Sequence, residues 1–311
     1  MHESNDPDGP RKDLMASSGS RLAFVALIVA NICLATGPLF VRQSIADGGI
    51  GPIAVGLWRL ALAAPFLLML TRTQRQPIGR MPASLWAMIA LAGVFFAADL
   101  ASWHAGIQHT KLANATLFGN FASLIFPIYG FVIARALPSR MQALALALAA
   151  VGVVLLLGHS YELSRQNLVG DLLCLLAGLL YTGYLIAIDR ARARLMAWPL
   201  LTISTIAGIA PLLFFAWIAG ESIIPHSWTA LVILALVSQV MGQGLMIYAM
   251  GTMRPLIVGL ALLSQPVVAA LIGWAFYAER LGALDIVGAV AIGVALVLVR
   301  QTPARRTAAS A

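Results

Sequence analysis

Charge is what this sequence has least of. Acids number 12 and bases 20 in 311 residues, so charged residues make up 10% of the chain against 60% hydrophobic ones. A soluble domain carries roughly 25% charged residues. A chain this poor in charge cannot clothe a water-facing surface, which excludes a soluble globular protein. There are only two cysteines, Cys33 and Cys174, and both fall inside apolar runs, so no disulfide framework is expected. No Gly-Lys-Ser/Thr phosphate loop and no His-Glu-x-x-His motif occurs, and His104 and His109 stand five apart on different helical faces. No cofactor, no metal and no enzymatic activity is therefore expected. The net charge of +8 is spread in short clusters between apolar runs, which is the pattern of membrane-orientation signals rather than of a nucleic-acid stripe.

What the chain has in abundance is long apolar runs. A membrane-spanning helix needs about 20 such residues, and ten candidates occur: Leu22–Val41, Pro52–Leu70, Ser84–Trp103, Leu112–Ala134, Met141–Leu157, Leu168–Ile188, Pro199–Ala219, Thr229–Met250, Leu256–Ala278 and Ala283–Val299. The connections are short and rich in turn residues, and the polar stretch at 1–21 reads as a flexible tail, as does 300–311. The chain is thus read as an all-α membrane protein. Fifteen of its 20 lysines and arginines fall on one side if both termini are cytoplasmic; Arg42, Lys111, Arg165 and Arg280 fall on the other, and Arg59 lies within a span. That asymmetry sets the expected orientation.

The chain also repeats itself. Pro127 and Arg140 stand thirteen positions apart, as do Pro266 and Glu279, each pair linking a proline-bearing apolar helix to a polar break and another apolar helix. Thr36-Gly37 matches Thr182-Gly183, and Asp99 to Ala105 aligns with Gln243 to Ala249. Two five-helix repeats, 22–157 and 168–299, are expected. Five is odd, so the second repeat enters the membrane from the opposite side and the halves are inverted, an arrangement that recurs in secondary transporters with a midplane site.

Polar groups inside the spans are the site candidates. Asp99 is the deepest acid, with Trp103 one turn along the same face and His104 beside it. It either meets a substrate ammonium or a coupling proton in an aqueous cavity, or makes a structural hydrogen bond to a neighbouring helix. Gln239 and Gln243 share a face, as do Tyr181 and Tyr184; Asn120 precedes Pro127, and Gln265 directly precedes Pro266. Together these amides and phenols suit a zwitterion, while each alone also fits interhelical packing. Pro127 and Pro266 are candidate hinges, because proline leaves a carbonyl one turn back without its donor. Arg59 either neutralises a substrate carboxylate, snorkels to the membrane surface or pairs with Asp47 or Asp171. Glu279-Arg280 reads as a local charge pair, and Gly242-Gln-Gly244 as close helix packing.

Leu57-Trp58-Arg59-Leu60, Gly170-Asp171, Gln265-Pro266-Val267-Val268 and Ala278-Glu279-Arg280-Leu281 carry a resemblance. By these residues the chain resembles the drug/metabolite transporter superfamily, specifically bacterial exporters built of two EamA-type repeats. Arg140 departs from the pattern, standing where such proteins commonly have glutamate after the fourth helix. The resemblance implies a small-molecule substrate and a bacterial inner membrane. It is similar above all to exporters of amino acids, aromatic ones included, with or without proton coupling. A nucleotide-sugar or drug transporter of the same fold, or a non-transporting membrane scaffold, is the alternative.

Overall fold

A computed structural model describes residues 9–110, 112–157, 167–277 and 282–301, and every regular element among them is helical. The charge pair expected at Glu279-Arg280 lies outside the described residues. Helix α1 (Gly9–Ala35) begins inside the stretch expected to be a tail, and breaks at Thr36 before α2 (Gly37–Gly48). Two long helices follow, α3 (Pro52–Thr73) and α4 (Ala83–Gly106), then the broken pair α5 (Leu112–Gly119) and α6 (Ala122–Ala134), and α7 (Arg140–Leu157). The second half contains α8 (Leu168–Arg192) and α9 (Ala197–Ile218). Next come α10 (Thr229–Leu234), a π-helical segment (Ala235–Gln243) and α11 (Gly244–Met250) in one continuous rod. The last elements are α12 (Pro255–Leu262), α13 (Ser264–Tyr277) and α14 (Ala283–Gln301).

Among the described residues, eight stretches are long and apolar enough to cross a membrane, the first running from Ser20 through the α1–α2 break to Gly48. The two remaining candidates, Arg140–Leu155 and Ala283–Val299, are shorter apolar helices, and α7 and α14 pack against each other. Prolines open α2, α3 and α12, where a missing N–H costs nothing and the fixed φ suits the first turn. Gly49, at φ 62°, stops α2 in the left-handed conformation that ends helices cheaply.

The packing is many-layered. Helix α4 lies between α8 and α9, α3 packs on α9, and α6 on α12; α1 packs on the π segment and α11, and α2 on α10. Lipid tails are as apolar as leucine, so helices in a membrane associate by close backbone approach rather than by hydrophobic driving force. Gly93 of α4 faces Gly208 of α9 so tightly that a Cβ on Gly208 would lie 2.8 Å from Leu60 Cδ1 and 3.0 Å from the Gly93 carbonyl oxygen. Gly242 and Gly244 likewise admit Leu34 and Trp198. Large apolar side chains such as Leu22, Val132 and Trp217 face outward, as expected for a surface covered by hydrocarbon.

On the side of the α3 N-terminus, the α9–α10 loop straps the α2–α3 corner. The Glu221 carboxylate accepts hydrogen bonds from the Ile53 and Ala54 amides at 3.1 and 2.8 Å, satisfying donors that the first turn of α3 leaves without helical partners. Trp58 Nε1 donates to the Ile223 carbonyl at 2.6 Å, and the Trp58 and Trp228 rings meet edge to face. At the opposite end, Tyr129 OH donates to Asp189 and the Arg190 guanidinium lies over the Tyr129 ring, joining α6 to α8.

Candidate functional site

Three of the spans lose helical regularity, and a fourth is π-wound. The breaks fall at Thr36, at Asn120-Phe121 and at Leu263, and the π segment ends at Gln243. Freed carbonyls in hydrocarbon must find donors, and short polar side chains can supply them. Here Thr36 donates to the Cys33 carbonyl, Asn120 to Thr116, Ser123 to Asn120 and Ser264 to Ala261. Pro127 and Pro266 stand just past two of these breaks, and Pro127 packs into the notch at Gly259 of α12. A sequence hint existed only in the two prolines; nothing in the periodicity marks Thr36 or the π segment.

These irregular places surround a cavity of about 150 Å³. Its walls come from both halves: Gly37 and Pro38 at the α1–α2 break, Arg59 on α3, Phe96, Asp99 and Trp103 on α4, Asn120 and Ser123 at the α5–α6 break, Tyr181 on α8, Gln243 on the π segment and Gln265 on α13. Gly119 has no side chain because the Trp103 indole occupies that space; a Cβ there would lie 2.9 Å from Nε1.

Of the nine residues singled out from the sequence, the structure brings Asp99, Trp103, Asn120, Tyr181, Gln243 and Gln265 onto this cavity and leaves three outside it. His104 is fully buried and turned to α3, its Nδ1–H donating to the Pro52 carbonyl at 2.8 Å. Tyr184 lies behind the wall, stacked on Phe96 at 4.7 Å and on Tyr181 at 5.7 Å. Gln239 is buried behind Arg59, with its Oε1 accepting from Arg59 Nε at 3.1 Å and its Nε2 donating to Thr205 Oγ1 at 3.0 Å.

Arg59 is the principal change from the sequence reading. It is 7% exposed and pairs with neither Asp47 nor Asp171; Gln239 holds its Nε, and its guanidinium lies 5.5 Å over the Phe96 ring. Asp171 accepts instead from Thr110 at 2.6 Å. Phe96 and Asn31 were also absent from the sequence reading. Asn31, fully buried on α1, accepts from Gln265 Nε2 at 2.9 Å, and a polar residue mid-span was the signal available for it.

The electrostatics of the cavity are bipolar. Asp99 and Arg59 both line it, and Asp99 makes neither hydrogen bond nor ion pair with any described residue. Gln243 donates to Tyr181 OH at 3.4 Å, and its buried Oε1 has no donor among the described residues. An acid, a cation, an open amide carbonyl and three aromatic walls therefore share one small chamber. That set can hold a molecule carrying both charges and an apolar part. Among the described residues no group of three or more His, Cys, Asp or Glu is arranged to hold a metal ion.

Known proteins give this arrangement a context. A solved crystal structure superposes with a TM-score of 0.71 at 16% identity, covering 91% of this chain and 98% of that one, a likeness of fold. A protein of Archaeoglobus fulgidus described as an uncharacterized transporter is 24% identical over 161 residues, 51% of this chain and 55% of that relative. The chain thus matches about half the length of that curated relative. The EamA-like transporter family matches twice, over residues 21–158 and again over 168–301. With a match over each half and an all-helical fold rich in membrane-spanning helices, the chain belongs to the EamA-like transporter family of membrane transporters.

Proposed function

We propose that this protein carries small zwitterionic metabolites, amino acids with apolar or aromatic side chains foremost, out of the cell by alternating access. Transport is secondary active or facilitative. The observation that carries this reading is the pairing of a held cation, Arg59, with an acid that has no hydrogen-bond or ion-pair partner among the described residues, Asp99, on the walls of one cavity. A substrate carboxylate meets Arg59, the ammonium meets Asp99 and the Gln243 carbonyl, and the side chain lies among Phe96, Trp103 and Tyr181. Asp99 is also the group available to exchange a proton with the substrate ammonium.

The size argument favours this class over larger cargo. An apolar cavity of ~150 Å³ takes a benzene-sized guest, so this chamber suits a small metabolite. A nucleotide sugar would need more room, and its diphosphate would call for several cations; among the lining residues Arg59 is the one cation.

We further propose ten spans in two inverted repeats, 22–157 and 168–299, in a bacterial inner membrane with both termini cytoplasmic. The double family match supports the duplication. The packing supports a two-fold relation between halves. Taking α1–α2 as the first span and α14 as the tenth, α3 on α9, α6 on α12 and α7 on α14 each pair a span with the one five further on. The contact of α4 with α8 exchanges with that of α1 with the π segment. Rocking of the halves about such an axis, with Pro127 and Pro266 as related hinges, would expose the cavity alternately.

Counterflow of radiolabelled amino acids in proteoliposomes, with and without an imposed pH gradient, tests the reading. Saturable, stereoselective exchange supports it, and its response to the gradient decides proton coupling. Folded protein that exchanges no amino acid refutes it; saturable uptake of nucleotide sugars or drugs would then move the assignment to those cargoes.

A further inference from the structure

Arg59 has a buried support that touches no part of the cavity. A guanidinium carries five N–H donors. Arg59 spends one, on Nε, against Gln239 Oε1 at 3.1 Å; neither Nη donates to a described residue. Gln239 is fully buried, and its amide cannot turn over. A flip would set its NH2 against the guanidinium, donor against donor, and would take Nε2 away from Thr205 Oγ1, which it meets at 3.0 Å. Thr205 is also fully buried, on α9, while Gln239 is on the π segment and Arg59 on α3. Phe96 on α4 closes the fourth side, its ring under the guanidinium.

Gln239 thus holds the Nε edge of the guanidinium, Thr205 holds Gln239, Phe96 lies against the guanidinium face, and the Nη edge has no hydrogen-bond partner among the described residues. We propose that Thr205 and Gln239 form a positioning relay that fixes Arg59 for bidentate capture of the substrate carboxylate, and so sets the preference for carboxylates over their neutral analogues. The relay explains why a buried amide and a buried hydroxyl stand here rather than a leucine and an alanine. A cation in a membrane interior without a neutral acceptor on Nε would pay for desolvation alone, whereas a carboxylate in Gln239's position would neutralise the charge the substrate needs. A neutral acceptor, held in one orientation by a hydroxyl, satisfies both requirements. Bidentate capture depends on orientation, because both N–H vectors must meet both oxygens.

The proposal rests on the amino-acid reading, and the test separates the two. Full-length protein in proteoliposomes would be assayed for uptake of its best amino acid in competition with that amino acid's carboxamide, which keeps the ammonium and loses the anion. Wild type is expected to prefer the carboxylate. Thr205→Val, nearly isosteric but without the hydroxyl, is expected to raise KM for the amino acid about tenfold with little change in kcat, and to erode the preference over the carboxamide. Thr205→Ser restores the hydroxyl and the preference. Gln239→Glu keeps the shape and neutralises the cation, abolishing the preference altogether. A Thr205→Val protein with wild-type KM and wild-type preference overturns the relay while leaving the transport reading intact. Wild-type protein that transports amino acids yet ignores the carboxylate overturns the role of Arg59 and the relay with it.

Discussion

Asp99→Asn is the most direct probe of the cavity. The substitution keeps volume and shape and removes one negative charge from a wall where the carboxylate has no hydrogen-bond partner among the described residues. A hydrogen bond to a charged group contributes about 1.5–3 kcal/mol, and each 1.4 kcal/mol is tenfold in affinity. Loss of the ammonium contact should therefore weaken amino-acid binding by roughly 10- to 150-fold. Stability should move the other way or not at all, because a partly buried charge without a protein partner is a cost to folding that the amide relieves. The assay is paired: equilibrium binding by scintillation proximity on purified protein, and thermal unfolding of the same sample in detergent. Weak binding with an unchanged or raised melting temperature is the expected outcome, and counterflow is expected to fail at substrate concentrations that saturate wild type. Unchanged affinity removes Asp99 from the site. A sharp fall in melting temperature would instead make Asp99 a structural link between helices, and the zwitterion argument would lose its anionic half.

Other consequences of the fold are open to measurement. Glu221→Ala strips the cap from the first turn of α3; a loss of about 1 kcal/mol is expected, read from unfolding in detergent mixtures, and no loss would mean the loop strap contributes nothing. Gly208→Leu drives a side chain into Leu60 and the Gly93 backbone; misfolded or poorly inserted protein is expected by size exclusion, since backbone cannot move aside as a side chain can. Cysteine introduced at the exposed positions Leu137 and Ile224 tests orientation. In intact cells a membrane-impermeant thiol reagent should label Ile224→Cys and spare Leu137→Cys, and the buried Cys33 and Cys174 should stay silent. The reverse labelling would invert the proposed topology.

The spans were legible because the bilayer imposes its thickness on composition. Pro52, Leu168, Thr229 and Ala283 open helices where the apolar runs begin, and the run ends agree closely with the helix ends at Leu157 and Met250. An apolar run of ~20 residues has almost no alternative to a helix, since its backbone must satisfy itself. Intramembrane polarity pointed to Asp99, Trp103, Asn120, Tyr181, Gln243 and Gln265 for the same reason: polar atoms in hydrocarbon are rare enough to stand out. Their approach to one cavity could not be read, because each depends on how helices rotate against their neighbours. Hydropathy that is high all round a helix leaves that rotation unspecified.

The contrast is clearest at Arg59 and His104. In the sequence reading Asp47 and Asp171 are the acids considered for Arg59, and His104 adjoins the best site candidate. In the folded chain Arg59 meets Gln239, 180 residues away, and His104 turns to the Pro52 carbonyl. Composition and run length determined that the chain is a helical membrane protein, and its self-similarity pointed to duplication. Which polar groups face one another was set by close backbone packing at sites such as Gly93 and Gly208, by the π winding that carries Gln239 and Gln243, and by the breaks at Thr36, Asn120 and Leu263. Those are contacts between distant segments, and a local pattern carries no record of them.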